Sequence, residues 1–346
     1  MGANGVTLSD VSARAGVSRS TASLVVRGSG RISNETRERV LLAMEELGYV
    51  YNRQAANMRQ RQSFTIGLVV TDIHDPFLAE LVMSIEDAAH ANDYQLFVGY
   101  SREDAERQQE ILVTMTQRQV DGLFLVPAIG TDVEAIERLI GLSRIPTVQL
   151  VRSVSAEFDY CGTFNVLAGE RLARHLASLG VRSAVLVGGA ESASDRIERL
   201  DGLQSGFRGT QVQMDLAEAV ATENSADAGA RGVAEVLDRG ELPDALIAHS
   251  DVVATGIYAE LQRRELMPGR DIAVASFDDN PSAALQLPPL TSVATHPERL
   301  AEQASALLLT RIGLPAGGTR PTRLNVEPAL RVRGSTAQWR PRESRR

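Results

Sequence analysis

From residue 64 onward, short apolar runs alternate with amphipathic stretches, and this alternation restricts the fold more than any other feature of the chain. FTIGLVVTDI (64–73) reads as a buried strand, and PFLAELVMSIEDAAHANDY (76–94) reads as an amphipathic helix. YQLFVGYS, VDGLFLVPA and IPTVQLV continue as strands separated by helix-like stretches. A second series follows in SAVLVGGA, PDALIAHSD and DIAVASFDD. Strands alternating with helical patterns imply parallel sheets. VDGLFLVPA and PDALIAHSD hold matching places in the two series, which is a weak internal repeat. The expected body is α/β, with two doubly wound lobes and a cleft at the carboxyl ends of their strands, where ligands bind in such folds.

The first sixty residues have a different texture. Thr7 precedes LSDVSARA, and Asp10 lies three residues on, a capping-box start with Leu8, Val11 and Ala15 on one face and Gly16 as the stop. Ser18 can cap a second helix, RSTASLVVRG, with Ala22, Val25 and Val26 expected to face inward and Gly28 to end it. Ser33 can cap a third, NETRERVLLAMEELG, with Val40, Met44 and Leu47 as its apolar stripe and Gly48 just past its end. Two short helices joined by a tight Gly-containing turn, with a third to complete a small core, form an all-α helix-turn-helix unit.

Charge agrees with a nucleic-acid role for this unit. The 346-residue chain carries a net charge of −8, but residues 1–62 hold nine Arg against five acids, a local charge of +4. Phosphate neutralisation depends on local charge, so a basic arm on an acidic body suits DNA. A solvated charged face would produce the same count, so charge by itself leaves both readings open.

The run VTLSDVSARAGVSRSTASLVVRGSGRISNETRERVLLAMEELGYVYN resembles the DNA-binding headpiece of the LacI/GalR family of bacterial transcription regulators. The resemblance implies that residues 19–27 form a recognition helix in the major groove. Arg19 and Ser20 match the positions that most often set operator sequence, and an Arg can fork onto guanine N7 and O6. Thr21 and Ser23 are short hydroxyls suited to phosphate or base contact. Thr7, Ser18, Ser33, Thr36 and Tyr49 match backbone-contacting positions. Leu24 departs from the Arg that is common there. Either one guanine-reading fork is missing, or Arg19 and Arg27 take its place.

YVYNRQAANMRQRQS (49–63) contains helix formers but is too short for a stable isolated helix. By the resemblance it is a hinge helix that orders on operator DNA, pairs with that of a second protomer, and wedges Met58 into the minor groove. Asn52, Arg53 and Ala55 match other hinge contacts, and Tyr51 replaces a common Pro.

The resemblance extends over roughly residues 5–336, through RLDG (199–202), HSDVVATGIYAEL (249–261), the long run from Asp271 to Leu309, and LNVEPALRVRGST (324–336). It implies two lobes of periplasmic-binding-protein-like type, with the chain crossing between them near residues 162, 291 and 324. The expected organisation is a helix-turn-helix domain at 1–50, a hinge at 51–63, a bilobal body at 64–340 and a tail at 341–346. The N-lobe would take 64–162 and 292–323, and the C-lobe 163–291 and 324–340. For the effector the resemblance implies Phe77 and Leu78 as covering residues, Arg199 as a polar clamp, and Asp278 as an acceptor. Asp75 replaces a usual Asn, Ser250 before Asp251 replaces an Asn, Asn224 stands where an aromatic often floors the site, and Phe164 replaces an Asp, leaving Asn165. These departures cluster in the expected cleft and point to a ligand other than the commonest sugars, or to a rearranged site.

Other classes have little support in the residues. Cys161 is the sole cysteine, so no intrachain disulfide or Cys-based zinc site is expected, and His74, His90, His175, His249 and His296 are dispersed. VGGAESASD follows a strand but lacks G-x-G-x-x-G and the Gly-Lys ending of a phosphate loop. Asp278-Asp279 could be paired carboxylates, yet no nucleophile stands locally beside them, so neither catalysis nor a cofactor is expected. The N-terminus shows no basic and apolar signal pattern, and no apolar run approaches the roughly 18 residues of a membrane span. The expectation is a cytoplasmic, ligand-controlled repressor binding near-palindromic double-stranded operator DNA as a homodimer, with a sugar-like effector and no membrane partner. The alternatives are a sugar-binding component of a transport system, which shares the bilobal body but needs export, and an architectural DNA binder, which needs no effector site. GSTAQWRPRESRR (334–346) has no leucine heptads, so a tail-built tetramer is not expected.

Overall fold

A computed structural model describes residues 6–26, 30–49, 62–212, 214, 220–240, 242–314 and 320–341. The chain divides into two compact units, Met1–Ser63 and Phe64–Arg346.

The first unit holds α1 (Leu8–Ala15), α2 (Arg19–Val26) and α3 (Asn34–Leu47). Thr7 and Asp10 close the capping box, the Thr7 amide donating to Asp10 Oδ2 at 2.8 Å. Ser18 Oγ accepts from the Thr21 amide at 3.1 Å, and Ser33 Oγ from the Thr36 amide at 3.3 Å. Gly16 (φ 65°) and Gly48 (φ 64°) end α1 and α3 in the left-handed region, where a side chain would be strained. The core is Val11, Ala15, Ala22, Val25, Val40 and Ala43, edged by Leu8, Val17, Ile32, Met44, Leu47 and Tyr49. Val26, expected inside, is only half-buried and lies outside this core. Ala22 and Val25 stand three residues apart on one helix face, and Val26 is turned a further 100° away. On α3, Ala43 pairs with Val40 in the interior, while Met44 and Leu47 seal the margin.

The second unit is built on two sheets. The N-lobe sheet has the order β10-β5-β4-β3-β1-β2, with β1 Thr65–Val70, β2 Gln95–Tyr100, β3 Gly122–Leu125, β4 Thr147–Leu150, β5 Asp159–Thr163 and β10 Arg323–Val326, all parallel. The C-lobe sheet has the order β11-β9-β8-β7-β6, with β6 Ala184–Val187, β7 Ala245–Ala248, β8 Ala273–Asp278, β9 Thr291–Ala294 and the antiparallel edge β11 Ala329–Arg331. Helices α4 (Pro76–His90), α5 (Ala105–Gln117), α6 (Val133–Ser143) and α11 (Pro297–Ile312) accompany the first sheet. Helices α7 (Asn165–Ser178), α8 (Ser194–Phe207), α9 (Ala226–Asp238), α10 (Asp251–Arg263) and the short α12 (Gly334–Ala337) accompany the second. Each sheet is covered on both faces by apolar clusters, as parallel strands require.

Every strand read from an apolar run is present. The strands without such a run, β5, β9, β10 and β11, are those next to the crossings between lobes. Thr291–Ala294 pairs with Ala275–Asp278 of the C-lobe sheet, and Arg323–Val326 pairs with Tyr160–Thr163 of the N-lobe sheet. The second and third crossings therefore follow Ala294 and Val326, three and two residues beyond the expected boundaries. The strand partner determines these points, and short polar strands such as RLNV carry no pattern that shows them. No helix among the described residues is long and apolar enough to cross a membrane.

Candidate functional site

In the first unit, α2 begins with Arg19 and Ser20 exposed and Thr21, Ser23 and Leu24 half-buried. Ser18 Oγ lies 2.8 Å from Ser20 Oγ and 2.9 Å from Thr21 Oγ1, so three hydroxyls share one helix start. Ser33 Oγ donates to Thr36 Oγ1 at 2.9 Å, and Tyr49 leans on the small core. Thr7 donates its hydroxyl to Asp10 at 2.7 Å. Leu24 lies against its own turn: a Cβ placed on Gly30 would touch both Leu24 methyls at 3.5 Å. Arg27, Tyr51, Asn52, Arg53, Ala55 and Met58 lie outside the described residues.

In the second unit, a cleft of about 1410 Å³ opens between the lobes. Asp75, Phe77 and Leu78 reach it from the first turn of α4, and Arg199, Asn224, Ser250 and Asp278 reach it from the C-lobe. Asp75 caps α4, its Oδ1 accepting from the Phe77 amide at 2.9 Å. Burial pushes the Asp75 carboxyl up, and Asp72 adds to the shift. Asp278 closes β8 with φ at 106°, a strained region for a residue with a side chain. Burial holds the Asp278 carboxyl well above the usual carboxylate range, with Asp75 adding to this and Arg199 opposing it.

Arg199 is the hub of the C-lobe wall. Its Nε donates to Asn165 Oδ1 at 3.1 Å, its Nη1 donates to the His249 carbonyl, its Nη2 stands 3.7 Å from Asp278, and its guanidinium lies 4.6 Å over the Phe277 ring. A planar fork with several fixed donors suits this position as a point charge does not.

Two residues expected on the ligand stand elsewhere. Asn165 is buried behind the wall, between Arg199 and Glu198, and positions Arg199. Asp251 points away from the cleft: its Oδ1 accepts from Ser276 Oγ and from Ser292 Oγ at 2.8 Å, and its Oδ2 accepts from the Asn280 amide at 2.6 Å. Burial pushes its carboxyl up to about 6, against the lowering effect of those bonds. Ser250 is the cap of α10, in extended backbone, and lines the cleft, whereas Asp251 begins the helix and is turned onto Ser276, Ser292 and Asn280. Phe164 is 45% exposed and is not among the residues lining the cleft.

The structure also brings in residues that sequence reasoning missed. Arg152 of the N-lobe donates to Glu103 at 2.7 Å and approaches Asp195 of the C-lobe at 3.4 Å. His249 Nε2 lies 3.3 Å from the other Asp195 oxygen. Burial disfavours a charged Asp195, yet Arg152, His249 and Arg199 outweigh it and hold the carboxyl far below the usual range. Burial and Arg199 push the His249 imidazole down, against the raising effect of Asp195. Arg152 lies in the loop after β4, Asp195 in the first turn of α8 and His249 just after β7, and neither spacing nor periodicity joins them.

Comparison with known proteins places these features. Residues 7–52 match the family described as bacterial regulatory proteins, lacI family, and residues 173–336 match the periplasmic binding protein-like domain. The chain is 30% identical over 334 residues to the ribose operon repressor of Escherichia coli (strain K12), across 95% of this chain and 99% of the relative. The structure of the lac repressor dimer bound to operator and the anti-inducer ONPF superposes with a TM-score of 0.84 at 25% identity, covering 96% and 99% of the two chains. The transcriptional regulator CelR in complex with cellobiose superposes at 0.72 with 28% identity, covering 95% and 99%.

Proposed function

The chain belongs to the lacI family of bacterial regulatory proteins, and on that premise we propose that it is a transcriptional repressor whose operator affinity is set by a small ligand in the interlobe cleft. Two copies bind a near-palindromic operator, because two-fold protein symmetry is mirrored in the half-sites. Arg19, Ser20, Thr21 and Ser23 are the groove-facing residues of α2, and Thr7, Ser18, Ser33, Thr36 and Tyr49 hold the phosphate backbone. The effector is a sugar or sugar derivative, held by Asp75, Phe77, Leu78, Arg199, Asn224, Ser250 and Asp278. The protein acts in the cytoplasm, and the cleft binds without turnover.

The observation that carries the ligand reading is Asp278. Its carboxyl group is nine-tenths buried, has no hydrogen bond with the described residues, faces the cleft from strained backbone, and has Arg199 only at 3.7 Å. A hydroxyl-rich ligand, which both donates and accepts, supplies the missing partners, and buried polar groups gain most from such partners. Ligand and operator then influence each other through the lobe angle, and this coupling is reciprocal. Titrating a selected operator fragment by fluorescence anisotropy, with and without candidate sugars, tests the proposal. Operator affinity changes with one of them if the reading holds, and affinity indifferent to every small molecule that binds the body overturns the allosteric part.

A further inference from the structure

Asp75, Asn224 and Ser250, singled out separately in the sequence, form one hydrogen-bond chain across the cleft. Asp75 Oδ2, from the N-lobe, accepts from Asn224 Nδ2 of the C-lobe at 2.9 Å. Asn224 Oδ1 accepts from Ser250 Oγ at 2.5 Å, and Ser250 Oγ accepts from the Val253 amide at 3.2 Å. Asp75 Oδ1 is meanwhile held by the Phe77 amide. The chain therefore runs from the N-terminus of α4 in one lobe to the N-terminus of α10 in the other. Both ends are anchored in backbone, and both helices direct their positive ends toward it. Two more ties cross between the lobes: the Ser153 amide donates to Ser194 Oγ at 2.9 Å, and Arg152 meets Asp195.

We propose that the Asp75–Asn224–Ser250 chain is a latch that closes the lobes by protein contacts alone, and that the effector acts by exchanging a hydroxyl for the Asp75–Asn224 bond. Every link is protein to protein, so closure needs no bridging molecule. The nature of the exchange follows from the two atoms uncoupled. A group taking Asn224's place must donate to Asp75 Oδ2, and the released amide needs an acceptor. A hydroxyl does both. A carboxylate cannot donate, a phosphate ester is largely ionised at neutral pH, both bring like charge beside Asp75, and an ammonium cannot accept. The exchange rests on the cleft being an effector site, whereas the latch itself does not.

Spin labels on Glu106→Cys and Asp227→Cys, both exposed on helices flanking the cleft, report the lobe separation in the full chain, with labelled protein diluted in unlabelled protein. Cys161 is buried, with its thiol pushed up to about 12, and stays unlabelled. Without added ligand, the distance distribution is expected to be single and short. Asn224→Ala and Asp75→Ala each move it to longer, broader distances, and the double variant moves it no further. Ser250→Ala, which leaves the Asp75–Asn224 bond in place, gives a smaller shift. A broad distribution in the parent protein, or an unchanged one in a folded Asn224→Ala protein, overturns the latch. Titration with ribose, glucose and cellobiose, and with their phosphate esters, tests the exchange. A neutral sugar lengthens the distance if it is right, and a response to phosphate esters alone, or to none of these, overturns it. Operator binding is measured on the same samples, so a failed latch remains separable from a failed regulator assignment.

Discussion

The Arg199 guanidinium stands 3.7 Å from the Asp278 carboxylate on the C-lobe wall of the cleft, near enough to pair and too far to hydrogen-bond. Both side chains are almost fully buried. Arg199 is held from behind by Asn165 and from the side by the His249 carbonyl, so it cannot close the gap without breaking those bonds. The pair is left without a direct hydrogen bond between its members, and both line the cleft.

This arrangement makes Arg199→Lys a poor replacement. Lysine has a single point charge and cannot meet Asn165, His249 and Asp278 together. Effector affinity measured by titration calorimetry should fall by about tenfold or more, which is about 1.4 kcal/mol per factor of ten. Asn165→Ala should produce a smaller loss of the same sign, since Asn165 acts only by orienting Arg199. Equal affinity in the parent and Arg199→Lys proteins would remove Arg199 from the site.

Reading of bases should depend on Arg19 more than on Leu24. Arg19 is exposed at the first position of α2, whereas Leu24 rests on Gly30. Arg19→Ala is expected to relax base preference by about 1–3 kcal/mol, and Leu24→Ala by less. Binding-site selection on random DNA with each variant gives the order directly, and the reverse order would reassign the reader.

Asp251 should set part of the pH dependence of stability. Its folded value of about 6 lies above its ordinary 3.8, so the folded state retains a proton that the unfolded state releases between these values. Its contribution to stability is then greatest below pH 4, declines as pH rises to 6, and stays low above that. The change is on the order of 2–3 kcal/mol. Urea unfolding from pH 4 to 7 should show the stability of the parent protein declining relative to that of Asp251→Asn, and a constant difference between the two would contradict the assignment.

Gly202, in the RLDG stretch, lies where α7 and α8 cross. A methyl group there would overlap the Val166 carbonyl, and one at Gly169 would overlap the Arg199 carbonyl. Backbone cannot yield as a flexible side chain does, so Gly202→Ala should lower stability by about 1–3 kcal/mol or more. Because α8 also carries Arg199, effector affinity should fall with it, and a thermal melt paired with calorimetry checks both.

The headpiece was almost fully legible from sequence because its determinants are local. Thr7, Asp10, Ser18 and Ser33 cap helices through residues two or three positions away, and Gly16 and Gly48 stop them. The strands with apolar runs were legible for the same reason, since burial on both faces of a parallel sheet leaves a continuous apolar signature. The resemblance to a known family supplied the cleft residues one at a time. It did not supply their partners.

Those partners belong to the tertiary structure. Asp75 and Asn224 are separated by 149 positions, Arg152 and Asp195 by 43, and only the closing of one lobe on the other makes them neighbours. Strands β9 and β10 are similarly assigned to their lobes by the sheets that accept them. Ser250 turns to Asn224 while Asp251 turns to Ser276 and Ser292, partners that lie far from both in sequence. Capping and burial patterns act over a few residues, so a linear chain displays them. Charge pairing, crossing points and the direction of a buried carboxylate act through space, and only the folded chain decides them.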